Sequence, residues 1–373
     1  MMRSRPKKRK MGTIDYGIFY TVLILVSIGT VMIYSASSYS AMFQTHDSMY
    51  YLKKQILACG LGVLAMLFFM AIDYHKLKRF TGILMIVTIP LLLAVYLFEP
   101  TKGAYRWIKL GPISFQPSEL AKYVVVMFLA WYLTKKGDEI KDFKRGIIPA
   151  LFVAAIYAGI VLAQKNLSVA ALIMIVTFVM LFVAGGENKH MFGIVAPVLI
   201  VAALVFALGE PYRRARMLNF IDPWKDAAKN GYQLIQSFYA LGAGGLTGLG
   251  LGQSRQKTLY MPEPHNDFIF SIIGEELGLI GCLVIITLFI ILIWRGIKVA
   301  MEARDTYGSF LAMGITAIIG FQAIINIAVV TGSMPVTGVP LPFISYGGTS
   351  IAITMTAMGV LLNISRQRVG KGE

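Results

Sequence analysis

The chain has 373 residues, of which 57% are hydrophobic and 14% charged, with a net charge of +16 and a mean hydropathy of +0.68. Soluble domains carry about 25% charged residues, and apolar runs of about 18 residues or more read as membrane spans, so this composition excludes a soluble enzyme. The basic balance would point to nucleic acid in a soluble chain. Here the charges lie between apolar segments, which is the pattern of the positive-inside bias. The two cysteines, Cys59 and Cys282, both fall inside apolar runs, so neither a disulfide framework nor a cysteine metal site is available.

In chain order the hydropathy pattern predicts an all-α polytopic membrane protein with ten transmembrane helices, over about 14–36, 55–73, 79–98, 118–134, 146–163, 167–185, 190–208, 267–294, 308–331 and 345–364. The first run exceeds the roughly 7–15 residues of a signal-peptide core and no small-residue cleavage site follows it, so it reads as a retained span. With the N-terminus inside, the inner segments hold 21 Lys and Arg and the outer ones 13, seven of them in the single long loop 209–266. Long loops weigh little in this rule. Both termini are therefore expected in the cytoplasm and loop 209–266 outside. The expected organisation is a basic tail at 1–13, a ten-span membrane domain at 14–364 and a short tail at 365–373. The run Arg3-Ser4-Arg5-Pro6-Lys7-Lys8-Arg9-Lys10 fits topology and anionic lipid rather than nucleic acid.

Three segments gather groups capable of chemistry. Between spans three and four lie Tyr105-Arg106-Trp107-Ile108-Lys109-Leu110 and Gln116-Pro117-Ser118-Glu119-Leu120-Ala121-Lys122. Pro117 suits the first turn of a helix, which places Glu119 and Lys122 at i, i+3 on one face of span four. Charges inside a span face a bundle interior or a wet cavity, so this is either a structural ion pair or part of a site. Tyr105 and Trp107 suit an interfacial belt.

The long loop is the second segment. It carries Tyr212-Arg213-Arg214-Ala215-Arg216, Asp222-Pro223-Trp224, Gly231-Tyr232-Gln233 and the glycine-rich run 242–252. The glycine spacing is not that of a dinucleotide fingerprint. The arginines could clamp a pyrophosphate or meet anionic headgroups. The loop closes on Met261-Pro262-Glu263-Pro264-His265-Asn266-Asp267 and runs into Gly274-Glu275-Glu276-Leu277-Gly278. Asn266 or Asp267 is the residue type of a helix N-cap. Asp267 is equally a general base at the membrane boundary, where partial desolvation raises a carboxylate above its reference value of about 3.9. Glu275 and Glu276 would lie about 12 Å deeper on an ideal helix, with at least one paired inside the bundle.

The third segment, Gly332 to Ser350, holds three Pro and four Gly, which forbids a regular helix across it. Such backbone at membrane depth needs cover from protein or a wet cavity, so a re-entrant wall of the site is expected, Ser345 included. The four histidines are scattered over separate loops without metal-ligand spacing, and no nucleophile elbow or P-loop is present.

Taken together these segments resemble the SEDS family of bacterial cell-wall polymerases, the group of FtsW, RodA and SpoVE. The matching residues are Tyr105 to Leu110, Gln116 to Lys122, Asp222-Pro223-Trp224, Gly231-Tyr232-Gln233, Gly248 to Gly252 with Lys257, Pro262-Glu263 to Gly278, Asn326-Ile327 and Pro335 to Ser350. The likeness runs from about residue 14 to 365, with a texture closer to FtsW and SpoVE than to RodA. It implies a peptidoglycan glycosyltransferase of the bacterial cytoplasmic membrane. Such an enzyme polymerises lipid II on the outer face for division or a related cell-wall process, with inversion at the anomeric carbon. It also implies Asp267 as the essential carboxylate, Glu119 and Lys122 as marked residues of the site, and a class B penicillin-binding protein as partner. Arg106, Arg213, Arg216, Lys257 and Ser345 are the further candidates for binding substrate or organising the site. No organic cofactor is implied, and a divalent cation (Mg or Mn) could share the leaving group's charge.

Three departures stand out. His265-Asn266 replaces the family's usual His-Thr, Thr349 stands where Ser is usual, and Gln164-Lys165-Asn166-Leu167-Ser168 replaces Gln-Pro-Asp-Leu-Gly. The rival readings are a lipid II flippase or other lipid-linked transporter, and a scaffold without enzymatic activity. Transporters place binding groups near the bilayer midplane and often in related repeats, whereas this polar cluster is at one edge and no repeat is evident.

Overall fold

The computed structural model describes residues 12–101, 103–111, 113–229 and 231–368. The basic run 3–10 and the last residues of the C-terminal tail lie outside them. Thirteen α-helices are present among the described residues: α1 (Tyr16–Thr45), α2 (Tyr50–Ala71), α3 (Tyr74–Ala94), α4 (Pro117–Lys136), α5 (Ile148–Ala163), α6 (Leu167–Val183), the single turn α7 (Asn188–His190), α8 (Ala196–Gly209), α9 (Pro211–Ile221), α10 (Tyr232–Gly244), α11 (Ile269–Met301), α12 (Thr306–Val330) and α13 (Gly348–Arg366). A small antiparallel hairpin, β1 (Ile108–Leu110) with β2 (Ile113–Phe115), precedes α4 and pairs Ile108 with Phe115.

Side-chain caps start several of the helices. Asp15 accepts from Ile18 N at 3.1 Å, Asp73 from His75 N at 3.0 Å, Asn166 from Val169 N at 3.3 Å and Asp305 from Gly308 N at 3.0 Å. Each satisfies one of the amide donors that a helix start leaves over. Pro117 occupies the first turn of α4 as its position in the sequence predicts. Eight helical segments among the described residues are long and apolar enough to cross a membrane. α4 and α6 correspond to the other two predicted spans. α6 has 17 residues, and α4 opens on Pro117-Ser118-Glu119 and carries Lys122, which lowers its hydropathy.

The side chains that remain exposed fit a lipid surround. Phe68, Ile86, Phe152, Val198 and Ile290 all point outward, and α8 buries none of its described side chains. Inside, α12 packs against α4, α6 and α11 at the centre of the bundle. α2 and α13 run side by side, brought close by small residues. A Cβ on Gly359 would stand 2.4 Å from the Met66 carbonyl, and one on Gly62 2.6 Å from Met355 Sδ. Small residues that let backbones meet are the usual currency of helix contact in a bilayer. The two ends of the described chain meet: Gly12 N donates to Arg366 O and Asp15 N to Ser365 Oγ, both at 3.0 Å.

The structure corrects several boundaries. The first span continues to Thr45, and the last begins at Gly348. The eighth begins at Ile269, runs to Met301 and is broken at Gly278 (φ 64°, ψ −166°), so it is not the straight helix expected. Loop 209–266 carries two helices, α9 and α10, and a 3-10 turn at Pro223–Asp226. The irregular approach to α13 is present, with no helix over 331–347.

Candidate active site

Glu119 and Lys122 sit in the first two turns of α4 and form a closed ion pair. Lys122 Nζ donates to Glu119 Oε2 at 2.9 Å and to Gln322 Oε1 of α12 at 3.1 Å. Ser350 Oγ, at the start of α13, donates to the same carboxylate oxygen. The two side chains are 1% and 3% exposed, so three helices meet on one desolvated pair. A narrow cleft beside it is lined by Gln322, Pro340, Phe343, Ser345, Ser350 and Thr354. Through Gln322 and Ser350 the pair forms one wall of that cleft, with the 331–347 segment as the other.

That segment has no ladder of its own, and its carbonyls are held from outside. Arg216 Nη1 donates to Val336 O at 3.3 Å, Ser168 Oγ to Thr337 O and Asn326 Nδ2 to Val339 O at 2.7 Å. Ser345 Oγ accepts from Leu341 N at 2.8 Å and donates to Asn266 O at 2.7 Å. Tyr346 N donates to His265 O at 2.9 Å. The segment is therefore stitched to the stretch 265–267, and Asp267 stands at the seam.

Asp267 is half-buried, two residues ahead of α11. Its carbonyl accepts from Asn326 Nδ2 at 2.7 Å. Its Oδ2 lies against Gly338, where a Cβ would stand 3.3 Å away. Gly338 also has φ 76°, so both conformation and space favour glycine there. The capping assignment is corrected: the N-cap of α11 is Phe268 and no side chain caps it. Asn266 instead donates to Glu263 Oε2 at 3.1 Å.

The other predicted residues distribute unevenly. Arg216 joins the site through Val336. Arg213 lies on the same helix, α9, but its side chain is outside the described residues. Arg106 donates to the carbonyl of Lys165, which ties the β1 approach to the α5–α6 turn. Lys257 is paired within the protein. Its ammonium is held by Glu276 Oε1 at 2.9 Å and Ser35 Oγ at 3.1 Å, with 9% of the side chain exposed. Among the described residues no three His, Cys, Asp or Glu side chains gather as a metal-ligand set.

Sequence reasoning missed several contributors. Asn326 entered only as part of a resemblance, yet its amide bridges Asp267 and Val339. Ser168, in the departing segment, fastens Thr337, and Asn166 beside it caps α6. His265 looked scattered, but its buried ring packs on Tyr51 (4.3 Å between centroids) and near Tyr346 (5.6 Å). A hydrogen-bonding residue next to a Pro/Gly-rich wall was the available signal for Asn326 and Ser168.

A helical bundle with a sealed carboxylate–ammonium pair, and a half-buried aspartate stitched to an irregular wall, defines a polytopic membrane protein with an ionisable site at one end. The chain belongs to the FtsW/RodA/SpoVE family of cell cycle proteins, whose model matches residues 16–370, and it is a multi-pass protein of the bacterial cytoplasmic membrane. It is 44% identical over 357 residues to stage V sporulation protein E of Bacillus subtilis, covering 94% of this chain and 97% of that protein. It is 42% identical over 366 residues to a probable peptidoglycan glycosyltransferase FtsW of Geobacter, covering 97% and 99%. Among solved structures it is similar to a chain of a peptidoglycan synthase complex that coordinates polymerization and crosslinking (TM-score 0.79, 29% identity, 95% and 98% covered). It is also similar to the rod shape determining protein RodA of Thermus thermophilus (TM-score 0.70, 26% identity, 96% and 98% covered).

Proposed function

We propose that this protein is a peptidoglycan glycosyltransferase that polymerises lipid II into glycan strands on the outer face of the membrane, with Asp267 as general base. The observation that carries the reading is the placement of Asp267. It is half-buried just ahead of α11, with its carbonyl held by Asn326 and its Oδ2 against Gly338, at the seam between the loop before α11 and the 331–347 wall. The relatives named as probable peptidoglycan glycosyltransferases and the similarity to a peptidoglycan synthase complex support the chemistry.

In this mechanism the acceptor sugar hydroxyl gives its proton to Asp267 as it attacks the anomeric carbon of the growing glycan. The lipid pyrophosphate leaves from the opposite face, with inversion. A positioned base contributes roughly 10²–10⁴ in rate. Charge developing on the leaving group calls for cations, and Arg216, with Arg213 on the same helix and Arg106 near the hairpin, are the candidates. Glu119 and Lys122 organise the cleft, and Ser345 locks the wall to Asn266. A divalent ion, if used, would arrive with the pyrophosphate, because Mg²⁺ is commonly held by one or two carboxylates plus substrate phosphates.

The proposed topology has ten spans and an outer loop at 209–266. The meeting of Gly12 and Asp15 with Arg366 and Ser365 supports placing both termini on one side, and the excess of Lys and Arg in the segments assigned to that side favours the cytoplasm. The domain organisation follows as tails at 1–13 and 365–373 around one membrane domain at 14–364. The proposed partner is a class B penicillin-binding protein. The decisive experiment is polymerisation of lipid II by purified protein, with and without that partner, comparing wild type with Asp267→Asn. Strands from wild type and none from the variant are expected. Equal polymer from both removes Asp267 from the chemistry, and none from either returns the flippase reading to the front.

A further inference from the structure

The chain leading to Asp267 is fastened by two neighbouring carboxylates rather than by secondary structure of its own. α11 breaks at Gly278, and residues 244–252 lie in the break. Leu249 N and Gly250 N donate to the carbonyls of Glu275 and Glu276, each at 3.0 Å. Leu279 N and Ile280 N donate back to Gly245 O and Leu246 O at 2.9 and 3.2 Å. The two side chains then take the next stretch. Glu275 accepts from Arg255 N at 2.9 Å and from Ser254 Oγ. Glu276, 0% exposed, accepts from Gly252 N at 3.0 Å, Ser254 N at 3.2 Å, Ser35 Oγ at 2.7 Å and Lys257 Nζ at 2.9 Å.

Ser35 belongs to α1, and α1 is tied to α11 a second time near their other ends by Arg295 Nη1 and Asp15 Oδ1 at 3.0 Å. The two helices are thus pinned at two levels, and the loop hangs on the pin nearer the site. From Lys257 the chain runs to Asp267 without regular structure, through the buried Met261 and His265. Where Lys257 is held therefore bears on where the Asp267 carboxylate stands against Gly338.

We propose that Lys257, Glu276 and Ser35 form a positioning junction that sets the place of Asp267, and that Lys257 does not contact the substrate pyrophosphate. The proposal rests on the reading of Asp267 as general base. A displacement of about 1 Å in a reacting group costs on the order of 100-fold. The test is steady-state polymerisation of lipid II by the full-length protein, scored as kcat and KM separately, with thermal unfolding and active-site occupancy measured on the same preparations.

Glu276→Gln and Lys257→Met should each lower kcat by about 10- to 100-fold while KM stays within about twofold. The double variant should be no worse than the poorer single one. Ser35→Ala should give a milder loss of kcat, and Ser35→Thr should restore it. If a single charged variant fails to reach the membrane, the charge-neutral double variant and the Ser35 pair carry the same test. A raised KM with unchanged kcat in Lys257→Met, additive with Glu276→Gln, would make Lys257 a substrate contact and overturn the proposal. So would wild-type kcat in both single variants. Asp267→Asn run alongside separates the two readings. An inactive Asp267→Asn beside a fully active Glu276→Gln removes the junction alone, and an active Asp267→Asn removes the base.

Discussion

Removing the ammonium at Lys122 is expected to cost far more than removing the whole pair. In Lys122→Met the Glu119 carboxylate stays 3% exposed and keeps Ser350 as its hydrogen-bond donor, but its cation is gone. Gln322 Oε1 also loses the donor it had at 3.1 Å. Breaking a buried pair from one side costs about 3–5 kcal/mol, whereas replacing both members by neutral groups of similar volume is often close to neutral. Glu119→Gln strands the ammonium in the same way, eased by Gln322. The double variant Glu119→Gln with Lys122→Met should therefore recover at least about 2 kcal/mol over the sum of the singles. The assay is equilibrium unfolding of detergent-solubilised protein by denaturant, followed by tryptophan fluorescence, with Trp131 on α4 itself as a reporter. Losses that simply add in the double variant would refute the reasoning, because two independent sites add and a coupled pair does not.

Other substitutions probe the frame around Asp267. Asn326→Leu leaves the carbonyls of Asp267 and Val339 without their shared donor. At about 1–3 kcal/mol for each buried polar group stranded, both the unfolding midpoint and kcat should fall, and an unchanged kcat would detach Asn326 from the site. Ser345→Ala removes the acceptor of Leu341 N and the donor to Asn266 O. It should lower kcat and speed proteolysis within 331–347. Gly278→Ala meets Gly248 N at 2.4 Å and Leu246 O at 2.5 Å with φ at 64°. Both obstacles are backbone, so a loss of about 2–5 kcal/mol is expected, read as a collapse in folded yield. Asp47, in the turn before α2, titrates below the ordinary carboxylate range because it accepts from Lys53 and from Met49 N. Its small contribution is present above the ordinary value and lost as pH falls through the depressed one. Lys53→Met should move its titration back toward that ordinary value in an NMR experiment.

The span pattern was legible because lipid demands long apolar helices, and eight helical segments among the described residues are long and apolar enough to cross a membrane. What the pattern missed were places where backbone bonds reach across sequence. The break at Gly278 depends on residues 244–252 lying in it, and nothing local to Gly274–Gly278 announces that. α9 and α10 were hidden because a loop dense in Gly, Arg and aromatic residues carries no apolar periodicity long enough to read. For the site, spacing alone gave Glu119 with Lys122, since i, i+3 on a helix fixes proximity. Spacing could not tell whether Lys257 would face a phosphate or a carboxylate, because its partner Glu276 is 19 residues away across an irregular loop.

The distribution of buried charge then gives the two clusters different roles. At the Glu119–Lys122 pair one cation meets one carboxylate, and neutral donors and acceptors from α12 and α13 complete it. At the Glu276–Lys257 junction one cation meets one of two adjacent carboxylates, and backbone N–H groups of 252–256 complete both. A carboxylate satisfied by main-chain amides holds chain in place, so the junction shapes a loop while the pair joins three helices. Asp267 differs from both in being half-buried and in being held through its carbonyl. Fixing the backbone of a half-buried aspartate keeps its carboxylate at a constant place, which a general base requires, since its proton partner comes and goes with each turnover.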